Sequence, residues 1–220
     1  MPLDYRAPWW RCHHAPMDDS ALDDDLLARY RTLPAANVGD AMERFGAMDS
    51  VIRPMYPGAR IAAPAYTILT RAGDNKAIHD ALALAPPGQV LVVNGFGDTT
   101  RALIGELLAG RAKAAGLAGF VIDGAVRDVA ELEAIGMATF ARATTPAGPY
   151  KFGPARHQVP IACGGVCVLP GDLIVADADG VVVVPRAEAR DVLVAAEAIA
   201  TSEVEMKAQI ASSSHNLAER

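Results

Sequence analysis

The sequence predicts an α/β fold with a mixed sheet system, helices packed against it and one long C-terminal helix. Three observations carry that expectation. Short apolar runs alternate with helical stretches through the first two thirds of the chain. The segment "LIVADADGVVVVP" places an Asp-Gly pair between two apolar runs, the signal of an antiparallel hairpin. From Arg186 onward the chain keeps a helical period with neither proline nor glycine.

Taken in order, residues 1 to about 20 have no period and form an N-terminal extension containing Trp9, Trp10 and "CHH" at 12–14. "DDSALDDDLLARYRTL" predicts a helix with acids at its start, where the dipole favours them. "PAANVGDAMERFG" predicts a second short helix ending at Gly46, and "ARIAAPAYTILTRAG" a strand. "NKAIHDALALAPPG" is a helix stopped by Pro86-Pro87-Gly88, and "QVLVVNG" a buried strand. Helical composition resumes over 102–116, with Gly105 marking the start. "GFVID" is a strand, "VAELEAIG" a short helix and "MATFAR" a further strand; "TTPAGPYKFGPARHQVP" is a long loop, functional or interfacial by its length. "GGVCVLPGDLIVADADGVVVVP" predicts three strands with turns at 170–172 and 179–180. The C-terminal helix then gives way to a polar tail, so the organisation is one domain over 21–210 between an extension (1–20) and a tail (211–220).

The composition narrows the function classes. The 220 residues are 51% hydrophobic, ample for one core. A formal net charge of −6 argues against general affinity for nucleic acid or an anionic membrane. No apolar run approaches the roughly 20 residues that span a bilayer. Three cysteines argue against a disulfide framework and for a reducing, cytoplasmic setting.

Several motifs dissolve on inspection. Gly95-x-Gly97 lacks the third glycine of a dinucleotide loop, since Thr100 stands there, and reads as a tight strand exit. "ADADG" lacks the helices and upstream acid of a calcium loop. Cys163 and Cys167 fall on one face of an apolar strand pattern as buried small hydrophobes, and His79 and His157 read as structural or surface residues.

The stretch that concentrates chemistry is "GFVIDGAVRDVAELEAIG" at 119–136. Two readings of it stand side by side. In one, Asp128 and Glu131 form a capping box and Arg127 is a solvated or paired residue. In the other, the turn is an anion-plus-metal site. Arg127 offers a planar fork matched to a carboxylate. Asp128 and Glu131, three apart on one helix face, hold a hard cation directly or through water. Glu106 arrives from the preceding strand–helix junction, where Gly105 lets backbone N–H groups approach an anion.

With those residues set out, the chain resembles a known family. The motifs "NVGDAMERFG", "PGARIAAPAYTILTRAGDN", "ALALAPPGQVLVVNG", "GELLAGRAKAAGLAGFVIDGAVRDVAEL", "TPAGPYK" and "GGVCVLPGDLIVADADGVVVVP" occur in order over roughly residues 35 to 205. They are similar to those of the class II 4-hydroxy-4-methyl-2-oxoglutarate aldolases, which share a fold with the regulator of ribonuclease activity A (RraA) proteins. The aldolase signature, an acid, twenty residues, Arg-Asp, two residues and another acid, matches Glu106, Arg127-Asp128 and Glu131; Glu106 stands where the aldolases carry aspartate.

The resemblance implies an RraA-like swivelling β/β/α sandwich with mixed sheets and a C-terminal helix. It implies metal-dependent cleavage of a keto acid to pyruvate, with oxaloacetate decarboxylation alongside. Arg127, Glu106 and Asp128 would be catalytic, and the substrate would meet Arg127, Lys151 and the backbone from Gly105 through Glu106 and Leu107 to Leu108. Mg2+ or Mn2+ would be held by Asp128 with Glu131, and with Glu203 from an adjacent subunit of a homotrimer or homohexamer whose sites lie at interfaces. The alternative within the same resemblance is a non-catalytic protein that binds and inhibits a ribonuclease. A methyltransferase reading finds no glycine-rich loop suited to S-adenosylmethionine.

Overall fold

The computed structural model describes residues 22–218, with side chains through Ser212. The extension with Trp9, Trp10 and Cys12-His13-His14 lies outside the described residues. Two short helices, α1 (Asp24–Tyr30) and α2 (Ala35–Ala41), lead into β1 (Arg53–Pro54) and β2 (Ile61–Thr70). The central part alternates α3 (Lys76–Leu84), β3 (Val90–Ile104), α4 (Glu106–Ala114), β4 (Gly119–Val126), α5 (Val129–Ile135) and β5 (Thr139–Thr144). Then come β6 (Ala155–His157), β7 (Ile161–Cys163), β8 (Val166–Val168), β9 (Leu173–Asp177), β10 (Gly180–Val184) and α6 (Ala189–Ala218).

The main sheet runs β1-β5-β4-β3-β2-β9-β10, with β6 also on β2, and β7 and β8 form a separate pair. Strands β2 to β5 are parallel; β9 joins β2 antiparallel and turns back through the Asp-Gly hairpin into β10. Alternate residues of the parallel strands enter different cores, which is why these strands read as unbroken apolar runs. Leu91, Val93, Phe120 and Ile122 face the layer of α3, α4 and α5. Val90, Val92, Val121 and Phe140 face Ile174, Ala176, Val181 and Val183 of the hairpin. The hairpin's other face, with Leu173, Val175, Val182 and Val184, is covered by α1, α2 and α6. The molecule is thus a β/β sandwich between two helical layers, the mixed α/β architecture that the sequence predicted.

Several boundaries differ from expectation. The second helix stops at Ala41, and positive φ at Glu43 and Arg44 turns the chain before Gly46 is reached. The third strand does not end at Gly95 but continues to Ile104, skipping residues in its pairing with β4 between Asn94 and Asp98 and again before Ala102. The long loop contains β6, and the expected three C-terminal strands are preceded by β7, both too short to leave a periodic signal. Cys163 and Cys167 do not share a face: they sit on opposite strands of the β7–β8 pair, Cys163 buried and Cys167 exposed. The C-terminal helix continues to Ala218 through the expected tail, because nothing between Arg186 and there is a glycine or proline stop. Among the described residues, no helix is long and apolar enough to cross a membrane.

Candidate active site

The register slips in β3 bring two strand exits together at the C-terminal end of the parallel strands, the edge where α/β sheets form ligand crevices. Ile104 pairs with Val126, and the Arg127 N–H donates to the Ile104 carbonyl at 3.0 Å. Gly105, the N-cap of α4, therefore lies against the Arg127-Asp128 turn. A Cβ on Gly105 would stand 2.9 Å from Arg127 Cγ and would overlap the Asp128 carboxylate. Glycine is required here for close approach.

Asp128 adopts a left-handed conformation (φ 58°, ψ 46°), an outlier that aspartate tolerates better than most residues. It makes no side-chain cap on its own helix, so the capping box read from Asp128 and Glu131 does not form. The turn instead aims its carboxylate at the neighbouring helix, where Oδ2 accepts the Glu106 N–H at 3.0 Å. Arg127 Nε lies 3.5 Å from the same oxygen. Asp128 thus caps α4 from outside, leaving the N–H groups of Leu107 and Leu108 as the helix's free first-turn donors. Oδ1 of Asp128 has no protein partner among the described residues.

Beside this junction is a cavity of ≈ 200 Å³. Gly105, Leu107, Leu108, Arg127 and Lys151 of the expected set line it, together with Asn75, His79 and Arg111. Its charged wall is wholly cationic, from Arg111, Arg127 and Lys151. Burial, aided by Lys151 and Arg111, pushes the pKa of His79 below its ordinary value, so the imidazole is neutral near pH 7. His79, read as structural or surface, is a wall residue. It sits four positions after Asn75 on α3, and Arg111 four after Leu107 on α4; that spacing was the available signal, but only the packed helices show both faces meeting one cavity. Arg127 and Asp128 also border an adjoining depression with Val129, Thr144, Thr145 and Pro146.

The acids are less gathered than the signature implies. The Glu106 and Glu131 side chains are exposed and outside the cavity wall. Glu203 lies on α6, with its carboxylate 3.3 Å from Lys207 Nζ. Among the described residues no three His, Cys, Asp or Glu side chains converge as a metal cluster. What one chain offers is a single half-exposed carboxylate with a free oxygen. That donor set fits a hard cation that keeps most of its waters and completes its shell with ligand oxygens.

Comparison with known proteins gives three kinds of likeness. A family model described as "RraA-like: Aldolase/RraA" matches residues 35–183. A Halalkalibacterium halodurans protein provisionally named 4-hydroxy-4-methyl-2-oxoglutarate aldolase is 41% identical over 174 residues, covering 79% of this chain and 83% of that protein. Among solved structures, an uncharacterized protein from Pseudomonas syringae superposes with a TM-score of 0.81 at 27% identity, over 90% of this chain and 93% of its own. The RNA-processing inhibitor RraA from Thermus thermophilis does so with a TM-score of 0.64 at 36% identity, over 69% and 92%.

Proposed function

The chain belongs to the RraA-like, Aldolase/RraA family, and from that membership we propose that it is a lyase cleaving 4-hydroxy-4-methyl-2-oxoglutarate-type acids to pyruvate, with oxaloacetate decarboxylation as a side activity. The observation that carries the reading is the cationic cavity at a helix N-terminus whose glycine admits ligand and whose capping aspartate keeps one oxygen free.

The substrate's keto-acid end sits on the Leu107 and Leu108 N–H groups and the Arg127 guanidinium, where helix dipole and fork both favour a carboxylate. Arg111 and Lys151 meet its second carboxylate. The C4 hydroxyl proton passes to a water held by Glu106 as the C3–C4 bond breaks. The electron pair of that bond becomes the pyruvate enolate, and Arg127, already in place, stabilises the charge gathering on its oxygen. Protonation at C3 releases pyruvate. Loss of CO2 from oxaloacetate gives the same enolate. A divalent ion, Mg2+ or Mn2+, bound by Asp128 with Glu131 nearby, would supply Lewis-acid polarisation of the 2-keto oxygen.

The same proposal includes a homotrimer or homohexamer with sites between subunits, Glu203 reaching a neighbour's site. The exposed Val204 and Met206, beside Glu203 on α6, support a second copy there. The test is pyruvate release, coupled to lactate dehydrogenase, by chelator-stripped protein before and after Mg2+ or Mn2+ is restored. Activity that returns with metal is expected; full activity in chelator refutes the metal-dependent class. A second reading, an inhibitor of a ribonuclease, draws on the likeness to the Thermus RNA-processing inhibitor. Tight retention of a ribonuclease with no pyruvate from either substrate would favour it.

A further inference from the structure

Lys151 reaches the cavity from a segment, 150–153, that belongs to no helix or extended strand. Its backbone is fixed instead by the turn before α3. The Tyr150 N–H donates to the Gly73 carbonyl at 2.8 Å, and the Asn75 N–H donates to the Tyr150 carbonyl at 3.0 Å. Phe152 and Gly153 both donate their N–H groups to Asp74 Oδ2, at 2.6 and 3.0 Å. Asp74 Oδ1 accepts the Lys76 N–H at 2.9 Å, and Thr70 Oγ1 donates to the Asp74 carbonyl at 2.7 Å. Arg101 adds hydrogen bonds to the Gly148 carbonyl and the Tyr150 hydroxyl, with its guanidinium 4.1 Å over the Tyr150 ring.

Asp74 has 0% exposure and is absent from the cavity wall, so it does not touch ligand. A fully buried carboxylate facing only donors is costly to keep unless its contacts matter. Every bond its carboxylate makes fixes either the residues flanking Lys151 or the start of α3, which carries His79.

The geometry points to Asp74 as a positioning residue: it acts through the 150–153 backbone to hold the Lys151 ammonium against the keto acid. This deepens the reading of the cavity as a keto-acid site and rests on it. An aspartate is required because all three side-chain partners are N–H donors. Asparagine would turn an NH2 toward at least one of them. Burial alone would raise the Asp74 pKa, but the three N–H groups and nearby Arg71 outweigh it and hold the carboxyl below its ordinary value.

The test compares Asp74→Asn, Lys151→Met and the double variant. Asp74→Asn should raise KM for the keto acid about tenfold, with kcat changed less, matching Lys151→Met. The double variant should be no worse than Lys151→Met alone. Effects that multiply would mean Asp74 serves only general folding, and would overturn the proposal. A second arm needs no activity: trypsin cleaves after Lys151, and release of the Phe152 N–H should speed cutting at Lys151–Phe152 about tenfold. If the unaltered chain releases no pyruvate, the function reading fails by itself, and the trypsin arm still decides Asp74; an unchanged cutting rate overturns it. Should Asp74→Asn not fold, Phe152→Pro removes one donor from an exposed position and must raise KM in the same direction.

Discussion

Replacing Gly105 with alanine tests the joint between the two strand exits. The new methyl carbon would lie 2.9 Å from Arg127 Cγ and 3.1 Å from Nε, and would overlap Asp128 Oδ2. Ordinary contact begins near 3.4 Å, so Arg127 must retreat by about 0.5 Å and the aspartate by more. That retreat removes the 3.0 Å bond capping α4. Losing the cap costs about 1 kcal/mol, and local overpacking adds roughly 1–3 kcal/mol. A displacement on the order of 1 Å in a group that must meet developing charge costs about 100-fold in rate. The assay is kcat/KM for pyruvate release, read beside a melting curve. Gly110, in the same helix, supplies the control: nothing lies within 4 Å of where its Cβ would be. Gly110→Ala should gain roughly 0.5–1 kcal/mol of stability and leave turnover unchanged. A Gly105→Ala protein with native kcat/KM would show that the substrate does not sit on this joint.

Asp128→Ala removes both the external cap and the carboxylate with the free oxygen. Melting should show about 1 kcal/mol of lost stability, and turnover in saturating Mg2+ should fall to the level seen in chelator; turnover that still rises with metal would contradict the assignment. His79 should shape acid sensitivity. Its folded-state pKa lies below its ordinary value, so the unfolded chain takes up the proton first, and its contribution is present above about pH 6.5 and lost as the pH falls. His79→Gln should therefore flatten the decline in melting temperature between pH 7 and pH 5. An unchanged slope would place the acid sensitivity elsewhere, with His157, whose pKa burial also lowers, the first residue to examine.

Local chemistry made much of the fold legible. Gly105 before a helical run marks the N-cap of α4, as read, and the short helix expected over "VAELEAIG" closes on Gly136. The Asp-Gly hairpin stands where the pair predicted it. What sequence could not show depends on through-space partners. Asp128 and Glu131 have capping-box spacing, yet the left-handed turn at Asp128 sends its carboxylate to a helix twenty-two residues earlier. Strand β3 hides its length because its middle, with Gly95, Phe96 and Gly97, bulges away from β4 while its ends stay paired. Of the cavity wall, Gly105 and Arg127 were singled out from the residues themselves, whereas Leu107, Leu108 and Lys151 entered only through the family resemblance. Asn75, His79 and Arg111 were not, since each belongs to the cavity only once α3 and α4 pack beside the sheet. Glu131 and Glu203 were expected as metal ligands, Glu203 from an adjacent subunit; among the described residues of one chain no three-ligand cluster forms.

The most direct test of the proposed chemistry is the specificity constant for pyruvate release from 4-hydroxy-4-methyl-2-oxoglutarate by Arg127→Ala in saturating Mg2+. With Arg127 carrying substrate carboxylate and enolate charge, kcat/KM should drop by at least about 100-fold. Arg127→Lys, which lacks the two-pronged fork, should not restore it. Near-native turnover by Arg127→Ala would contradict the account at its centre.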